Sequence, residues 1–289
     1  MSWVLIDDDK CNRCGICVLG CPRCFWKSGD DILVEANEEC CALCGHCVAL
    51  CPAGAIAHYK MDMDNFKDIS KEEIIKTDDF IQFVREHRTH RHFMKKKISQ
   101  KDLEKLIDTA RYAPTGGNEQ TVEIILVQSP EKRKRLSDLA IDQVAADGAE
   151  LSKKLEELKS GNKGSREEKL QIERMVKFRE FLIQAKKAGH DPVFYEAPAV
   201  AIFHSTVQTV TAKDNCVIAS TTMGLLARTM GLETTYIALF EIASKGSQLI
   251  RDELELPERN QVFSVLVIGY PKFKYYRTVD RRPIRTRWE

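Results

Sequence analysis

Cysteine placement constrains this chain more than any other feature. Ten of its eleven cysteines lie within the first 51 residues, and only Cys216 follows them. Eight of the ten form two runs of the pattern Cys-x-x-Cys-x-x-Cys-x-x-x-Cys-Pro, which begin at Cys11 and Cys41. This spacing is typical of bacterial iron–sulfur segments, and soft thiolates are the ligands that iron–sulfur clusters require. The sequence therefore predicts iron–sulfur clusters in the N-terminal part of the chain.

Other uses of cysteine agree less well with this pattern. A disulfide framework is typical of secreted chains, and residues 1–9 lack the apolar stretch of a signal peptide. Zinc sites use CxxC pairs with four ligands per ion, and this doubled spacing is not their usual one. Cys24 and Cys40 lie outside the runs, and we interpret them as small core residues or free thiols. His46 is expected to be exposed or to lie near the ligands without being one.

Residues 3–60 resemble the two-cluster bacterial ferredoxins, through the eight run cysteines and the prolines that follow them. The resemblance implies two [4Fe–4S] clusters and one-electron transfer at low potential. It also implies crossed ligands, because in such ferredoxins the fourth ligand of each cluster comes from the other run. The first set is then Cys11, Cys14, Cys17 and Cys51, and the second set is Cys41, Cys44, Cys47 and Cys21. Residues 4–6 and 55–57 are expected to pair as short strands.

The overall composition excludes several kinds of partner. The chain carries 44 basic and 43 acidic residues, a formal net charge of +1. Such a balance gives no long-range attraction to nucleic acid or to a membrane surface. The sequence contains no run of 18 apolar residues and so predicts no transmembrane helix. We therefore expect a cytoplasmic protein. The glycine patterns of dinucleotide-binding and P-loop folds are also missing from the sequence.

Helical and strand patterns alternate irregularly after residue 78. Strands are expected at 122–127, 199–204, 234–240 and 262–268. Helices are expected to begin near Asp79 and Ser99 and to span 214–230, with Gly231 as the end of the last one. Residues 131–189 form a charged helical excursion with a turn at 160–165, and Ser70-x-x-Glu73 has the form of a capping box.

Four segments of this region combine basic side chains, small residues and amides. They are His87–Phe93, Ala113–Gln120, Gly231–Phe240 and the arginine-rich residues 277–287. Each one alone is a weak signal. In this order, however, they resemble the FMN-dependent nitroreductase family over about residues 79–289. The resemblance implies an α+β fold with a mostly antiparallel central sheet flanked by helices, and a homodimer with FMN at the subunit interface.

The resemblance also implies roles for individual residues. The FMN phosphate and ribityl chain would be held by Arg88, Thr89 and Arg91, with Arg281 or Arg282. His87 stands where the family usually has a phosphate-binding arginine. Asn118 and Gln120 would contact the edge of the flavin ring, and Pro114, Thr115 and Gly116 would line it. The backbone of Ala238 and Leu239 would lie near the flavin N5.

Together, these patterns predict a two-cluster domain at 1–60, a linker at 61–78 and an FMN domain at 79–289. We expect an oxidoreductase that passes electrons from the clusters to FMN and on to a small organic acceptor, such as a nitroaromatic or a quinone. The chemistry would take place on the flavin, with no protein nucleophile. The external donor would be a ferredoxin, NAD(P)H or a reductase. Two alternatives stay open: a non-enzymatic electron-transfer subunit, and a different reaction such as reductive removal of a substituent.

Overall fold

A computed structural model describes residues 2–69, 74–160 and 165–289. The capping box expected at Ser70–Glu73 and most of the turn expected at 160–165 lie outside the described residues. The chain divides into two compact units. Unit 1 comprises Met1–Thr77 and Gly117–Glu119, and unit 2 comprises Asp78–Gly116 and Gln120–Glu289. Domain boundaries at residues 60 and 79, with a linker between them, stay a prediction.

Unit 1 is built from short elements around the two cysteine runs. They are β1 (Val4–Ile6), α1 (Ile16–Gly20), β2 (Phe25–Ser28), β3 (Asp31–Val34), α2 (His46–Leu50) and β4 (Ile56–His58). The strands β1 and β4 pair antiparallel, with Val4 opposite His58 and Ile6 opposite Ile56. This confirms the predicted pairing, one residue further along the chain. The hairpin of β2 and β3 joins the two runs.

Each cysteine run enters its helix through a glycine in the left-handed conformation. Gly15 precedes α1 with φ of +76°, and Gly45 precedes α2 with φ of +70°. Glycine adopts this conformation without the steric cost that other residues meet. The third cysteine of each run, Cys17 or Cys47, therefore lies in the first turn of a short helix, where it is buried.

Unit 2 is a four-stranded sheet covered by helices on both faces. Its elements are α3 (Thr77–Glu86, which begins at the last residue of unit 1), α4 (Gln100–Ala110), β5 (Glu123–Val127), α5 (Pro130–Ser160), α6 (Arg166–Lys187), β6 (Ala199–Thr206), α7 (Ala212–Thr229), β7 (Glu233–Tyr236), α8 (Ala238–Gly246), α9 (Gln248–Glu253) and β8 (Asn260–Gly269). The strand order is β5-β6-β8-β7, and all pairs are antiparallel. This confirms the predicted α+β fold.

The strand β6 shows how the two faces are formed. Successive side chains of a strand point to opposite faces. Ala201 and Phe203 accordingly pack in a core with α4 and α7, whereas Val200 and Ile202 pack in a second core with α5, α8 and α9. Because both faces are covered, β6 reads as a continuous apolar run in the sequence.

The structure can be compared with three predicted element boundaries in unit 2. Ser99 caps α4 as predicted, because its Oγ accepts a hydrogen bond from the backbone N–H of Asp102 at 3.1 Å. Gly231 follows α7 with φ of +73°, also as predicted. The strand expected over 234–240 is wrong beyond Tyr236, since α8 begins at Ala238. A short continuous apolar run fits a buried strand and a buried helix equally well, and here Phe240 and Ala243 face the core at helical spacing.

The charged excursion consists of the two long helices α5 and α6. Ion pairs join them, among them Lys154 with Glu168 and Lys159 with Glu173, and these side chains are between 34% and 55% exposed. Most of the charges thus form a solvated face, as predicted. No helix in the described part of the chain is long and apolar enough to cross a membrane.

Candidate functional site

Four run cysteines line a narrow cavity in unit 1. They are Cys11, Cys14, Cys17 and Cys51, the grouping that the ferredoxin resemblance implies for the first set. Isoleucines close the cavity, from β1, α1, β3 and β4. The backbone N–H of Ala55 donates a hydrogen bond to the Sγ of Cys51 at 3.3 Å. The first cavity is therefore a pocket of thiols walled by hydrocarbon.

The other four run cysteines line a second cavity of about 260 Å³ in the same unit. They are Cys21, Cys41, Cys44 and Cys47, the grouping of the second set, and Cys24, Cys40 and His58 lie beside them. His58 is buried, and its Nε2 lies 3.5 Å from the Sγ of Cys41. Each cavity thus takes three cysteines from one run and one from the other.

The donor chemistry of both cavities suits iron–sulfur clusters. All eight donors are thiols, the soft ligands that iron–sulfur clusters take. Burial raises the pKa of the Cys17 thiol and raises that of Cys47 to about 11, so both retain their protons unless a cationic centre displaces them. Among the described residues, no group of three or more His, Cys, Asp or Glu side chains surrounds a position for one metal ion.

The basic segment at residues 87–93 lies against β7 in unit 2. The backbone N–H of His90 donates to the carbonyl of Thr234 at 3.3 Å, and the hydroxyl of Thr235 donates to the carbonyl of His90. The Nε2 of His87 lies 3.4 Å from the Oγ1 of Thr234. Burial, and then the nearby Arg228 and Arg88 charges, lower the pKa of His87 below its usual value. A neutral imidazole at position 87 supplies no charge to a phosphate.

Three predicted phosphate ligands follow His87 in the same segment. The Nε of Arg88 donates to the carbonyl of His87 at 2.6 Å, and the carbonyl of Thr89 accepts from the Tyr275 hydroxyl at 3.2 Å. The guanidinium of Arg91 lies 5.8 Å from the centre of the Tyr195 ring.

Arg281 and Arg282 lie in the exposed C-terminal segment. Neither makes an ion pair or a side-chain hydrogen bond with another described residue. The side chains of Arg88 and Arg91 therefore contact different neighbours, and no described ion pair or side-chain hydrogen bond joins the two tail arginines to them.

The loop predicted to line the flavin ring is held by α7 and the turn before it. The backbone N–H of Gly116 donates to the Oδ1 of Asn215 at 3.0 Å. A Cβ at Gly116 would lie 2.3 Å from the Oγ1 of Thr211, so any other residue would require Thr211 to move. Asn215 is buried, and its Nδ2 has no partner among the described residues. An unpaired buried donor beside this loop is compatible with a polar ligand.

The two predicted ring amides differ in their surroundings. Gln120 lies in unit 2, where its backbone N–H donates to the Oγ1 of Thr115 at 3.2 Å. Asn118 belongs to unit 1, where its side-chain Nδ2 donates to the carbonyls of Ala42 and Leu43, each at 2.9 Å. The structure therefore places the amide nitrogen of Asn118 beside the second cysteine run.

Ala238 and Leu239 are the first two residues of α8. Backbone N–H groups in the first turn of a helix have no acceptor within the helix. The partial positive charge of a helix N-terminus also favours an electron-rich atom. The backbone N–H groups of Ala238 and Leu239 could therefore make the predicted contact near the flavin N5. They lie at the start of a helix, whereas the sequence predicted a strand there.

An ion-pair network at the end of α7 is missing from the sequence predictions. Arg228 donates to the carboxylates of Glu233 and Glu86, the latter at 2.8 Å, and its guanidinium lies 5.4 Å from the centre of the Phe83 ring. Burial raises the pKa of Glu233, and Arg228 opposes that rise. Glu86 and Arg228 are far apart in the chain, so no local pattern could reveal their contact.

A cavity of about 870 Å³ in unit 2 is lined partly by the charged excursion. Arg91 and Lys272 line it together with Phe178 and Phe181 of α6. The two rings are stacked, with their centres 6.4 Å apart, and both are more than half exposed. Exposed His190 also lines this cavity, whereas His204 is buried elsewhere in the unit.

Comparison with known proteins identifies the larger part of the chain. Residues 84–270 match the nitroreductase family, and this protein belongs to that family. A putative NADH dehydrogenase/NAD(P)H nitroreductase of Archaeoglobus fulgidus is 24% identical over 206 residues, which cover 70% of this chain and 91% of the relative. The N-terminal part matches a ferredoxin of Methanothermococcus thermolithotrophicus at 42% identity over 55 residues, 18% of this chain and 92% of that protein. The protein is thus a nitroreductase-family oxidoreductase with a ferredoxin-like N-terminal segment.

Solved structures show the same fold. A nitroreductase of Bacteroides fragilis, solved with bound FMN, aligns with a TM-score of 0.55 and 18% identity, covering 73% of this chain and 100% of its own. A nitroreductase of Desulfitobacterium hafniense, also with bound FMN, aligns with a TM-score of 0.53 and 17% identity, covering 75% of this chain and 100% of its own.

Proposed function

We propose that this oxidoreductase receives single electrons through two [4Fe–4S] clusters and transfers them by way of FMN to an organic acceptor, such as a nitroaromatic or a quinone. One observation carries the proposal. Two cavities, each lined by four run cysteines, occur in the same chain as a nitroreductase-family region. A carrier alone would need no flavin domain, and a flavin enzyme alone would need no clusters.

The cysteine sets are proposed to bind one cluster each, the first set in the first cavity and the second set in the second. When bound, such clusters supply one-electron transfer at low potential. The chain binds and shields them. The isoleucine walls of the first cavity exclude water, while the buried His58 places a ring nitrogen against Cys41.

FMN is the proposed second cofactor. The FMN-bound relatives support it, as does a Bacillus subtilis FMN reductase [NAD(P)H] that is 33% identical over 69 residues, or 24% of this chain and 28% of the relative. Flavins exchange one or two electrons and so connect the two kinds of chemistry. Arg88, Thr89 and Arg91 would hold the phosphate, and the close-packed loop at Gly116 would lie along the ring.

The cavity lined by α6 is the proposed acceptor site. Its stacked Phe178 and Phe181 rings offer an aromatic surface, and Lys272 adds positive charge. An acceptor that combines a flat ring with electron-rich oxygens, such as a nitroaromatic or a quinone, matches both features.

A homodimer with FMN at its interface is proposed as the working form. Helix α3 supports it, because none of its residues is buried although Phe80, Ile81 and Val84 form an apolar face. An external donor, a ferredoxin, NAD(P)H or a reductase, would supply the electrons.

The relay can be tested with one matched pair of proteins. The wild type and a Cys17→Ser/Cys47→Ser variant, both loaded with FMN, are mixed anaerobically with a reduced ferredoxin, and flavin absorbance is followed. We expect fast bleaching in the wild type and bleaching at least about tenfold slower in the variant, because each substitution removes a proposed ligand. Equal rates would exclude the cysteine sets as the electron entry.

The alternative of a non-enzymatic subunit has its own test. Isolated wild-type protein receives the reduced ferredoxin together with a nitroaromatic or a quinone. Repeated turnover supports the enzyme, whereas flavin reduction without acceptor consumption would favour a carrier subunit.

A further inference from the structure

Two cysteines outside both ligand sets lie against each other in unit 1. The Sγ atoms of Cys24 and Cys40 are 3.0 Å apart, and both thiols are free. A disulfide joins its sulfur atoms at about 2.05 Å, so an approach of about 1 Å would allow the bond to form.

The β2–β3 hairpin holds this pair in place. Glu35, which directly follows β3, donates its backbone N–H to the carbonyl of Cys24 at 2.9 Å. The Sγ of Cys40 donates to the carbonyl of the same Glu35 at 3.1 Å. Glu35 therefore forms a hydrogen bond with each cysteine, and the backbone contributes to holding the two thiols close together.

The two thiols differ in their access to solvent. Cys24 is 1% exposed, whereas Cys40 is only partly buried. An outside reagent can therefore reach Cys40 first, and Cys24 is positioned to act second. This is the arrangement of an attacking thiol with a resolving partner.

We propose that Cys24 and Cys40 form a reversible thiol–disulfide centre that reacts with small disulfides through Cys40. Cys40 first bonds to one sulfur of a disulfide RSSR, the RS–SR bond breaks, and one RSH leaves with the Cys40 proton. Cys24 then bonds to the Cys40 sulfur, and the second RSH leaves with the Cys24 proton. The two cysteines are oxidised by two electrons, and RSSR is reduced to two RSH. This centre goes beyond the proposed relay, because it uses neither FMN nor the eight set cysteines.

Glutathione disulfide is the probe that tests the centre. Anaerobic protein with its cofactors is treated with the probe, free thiols are blocked with N-ethylmaleimide, and peptides are mapped by mass spectrometry. We expect a Cys24–Cys40 linkage that dithiothreitol removes, with unchanged iron content and visible absorption. In Cys24→Ser, glutathione should remain on Cys40, because the resolving thiol is missing. Cys40→Ser should take up none, because Cys24 is buried.

Three results would overturn the proposal. The first is the absence of a Cys24–Cys40 linkage in the folded wild type. The same chain unfolded in urea, which should become linked, is the control that the probe and the mapping work. The second is a linkage of Cys24 or Cys40 to a cysteine of either set. The third is a loss of about half the iron in a Cys24→Ser or Cys40→Ser variant, which would make the residue a cluster ligand. The wild-type result decides even if a variant fails to fold.

Discussion

The Nε2 of His58 lies 3.5 Å from the Sγ of Cys41 in unit 1. The other ring nitrogen, Nδ1, lies 3.2 Å from the backbone nitrogen of Lys60 and accepts its hydrogen bond. A neutral imidazole carries a proton on only one nitrogen. Burial lowers the pKa of His58 and so favours this neutral form. The proton therefore lies on Nε2, which donates to the cysteine sulfur.

Replacing His58 should consequently lower the reduction potential of the cluster proposed for the second cysteine set. A donor on a ligand sulfur stabilises the extra negative charge of the reduced cluster, and hydrogen bonds of this kind are among the determinants of cluster potential. We expect His58→Phe to shift one of the two reduction steps to lower potential in an anaerobic redox titration. The matched control is His46→Ala, at an exposed residue inside the second cysteine run, which should leave both steps in place. Two unshifted steps in His58→Phe would contradict the assigned hydrogen bond.

The proposed crossed ligand sets predict different outcomes for two paired substitutions. Cys11→Ser with Cys51→Ser removes two ligands from the first set only, so about half of the iron should remain. Cys11→Ser with Cys21→Ser removes one ligand from each set, so more iron should be lost. Iron content and visible absorption measure both outcomes. The reverse order, with the Cys11 and Cys21 pair retaining more iron, would show that each run binds its own cluster.

Substitution of the aromatic residues of α6 should weaken binding of the acceptor and leave FMN binding unchanged. We expect Phe178→Ala and Phe181→Ala each to raise the KM for an aromatic acceptor about three- to tenfold, because an aromatic contact contributes about 0.5–1.5 kcal/mol. Met175→Ala is the control, since this residue lies on the same helix and is exposed but does not line the cavity. Steady-state kinetics with the FMN content held equal make the comparison. A similar KM in all three variants would place the acceptor elsewhere.

The ion pair of Arg228 and Glu233 is expected to be important for stability. Both side chains are largely buried, at 16% and 12% exposure. Arg228→Met should cost about 3 kcal/mol of unfolding free energy, because Glu233 is left buried with only His90 nearby, whose Nε2 lies 3.9 Å from its Oε2. The double variant Arg228→Met/Glu233→Gln should recover part of that loss. Urea unfolding measures both, with Lys154→Met as the exposed control, expected within about 0.5 kcal/mol of wild type.

Buried His204 gives a prediction for the pH dependence of stability. Burial lowers the pKa of His204 below the ordinary 6.5, although nearby Glu123 opposes this. The unfolded chain therefore binds a proton more readily than the folded one, and unfolding free energy should fall as the pH drops from 6.5 toward the lowered pKa.

The matched variants isolate the His204 contribution. His204→Gln should flatten this part of the pH curve, whereas His190→Asn, at an exposed position, should not. Urea unfolding between pH 7.5 and 5 would provide the test. An equally steep curve in His204→Gln would assign the effect to other groups, such as His87 and His90, whose pKa values are also lowered by burial.

Local constraints explain what could be predicted from the sequence. Cluster ligands follow a tight spacing, so the run pattern predicts the eight cysteines, and the resemblance to two-cluster ferredoxins implies how they are grouped. Alternating or helical periodicity predicts most strands and helices of unit 2. Long-range contacts carry no such pattern. Neither the pairing of Glu86 with Arg228 nor that of His58 with Cys41 follows from neighbouring residues. The start of α8 at Ala238 was missed for a related reason, because only packing decides between helix and strand in a short apolar run.

The exchange of cysteines between the two runs has a consequence for how the protein is made. During synthesis the first run emerges complete through Cys21, yet its cavity lacks a fourth thiol until Cys51 follows. The second cavity, in turn, depends on a cysteine made 20 residues before its own run begins. Under the proposed ligand sets, neither run is a complete site, and a chain cut between the runs would hold no complete set. Iron loading is expected to wait for the whole segment and to proceed as one assembly event.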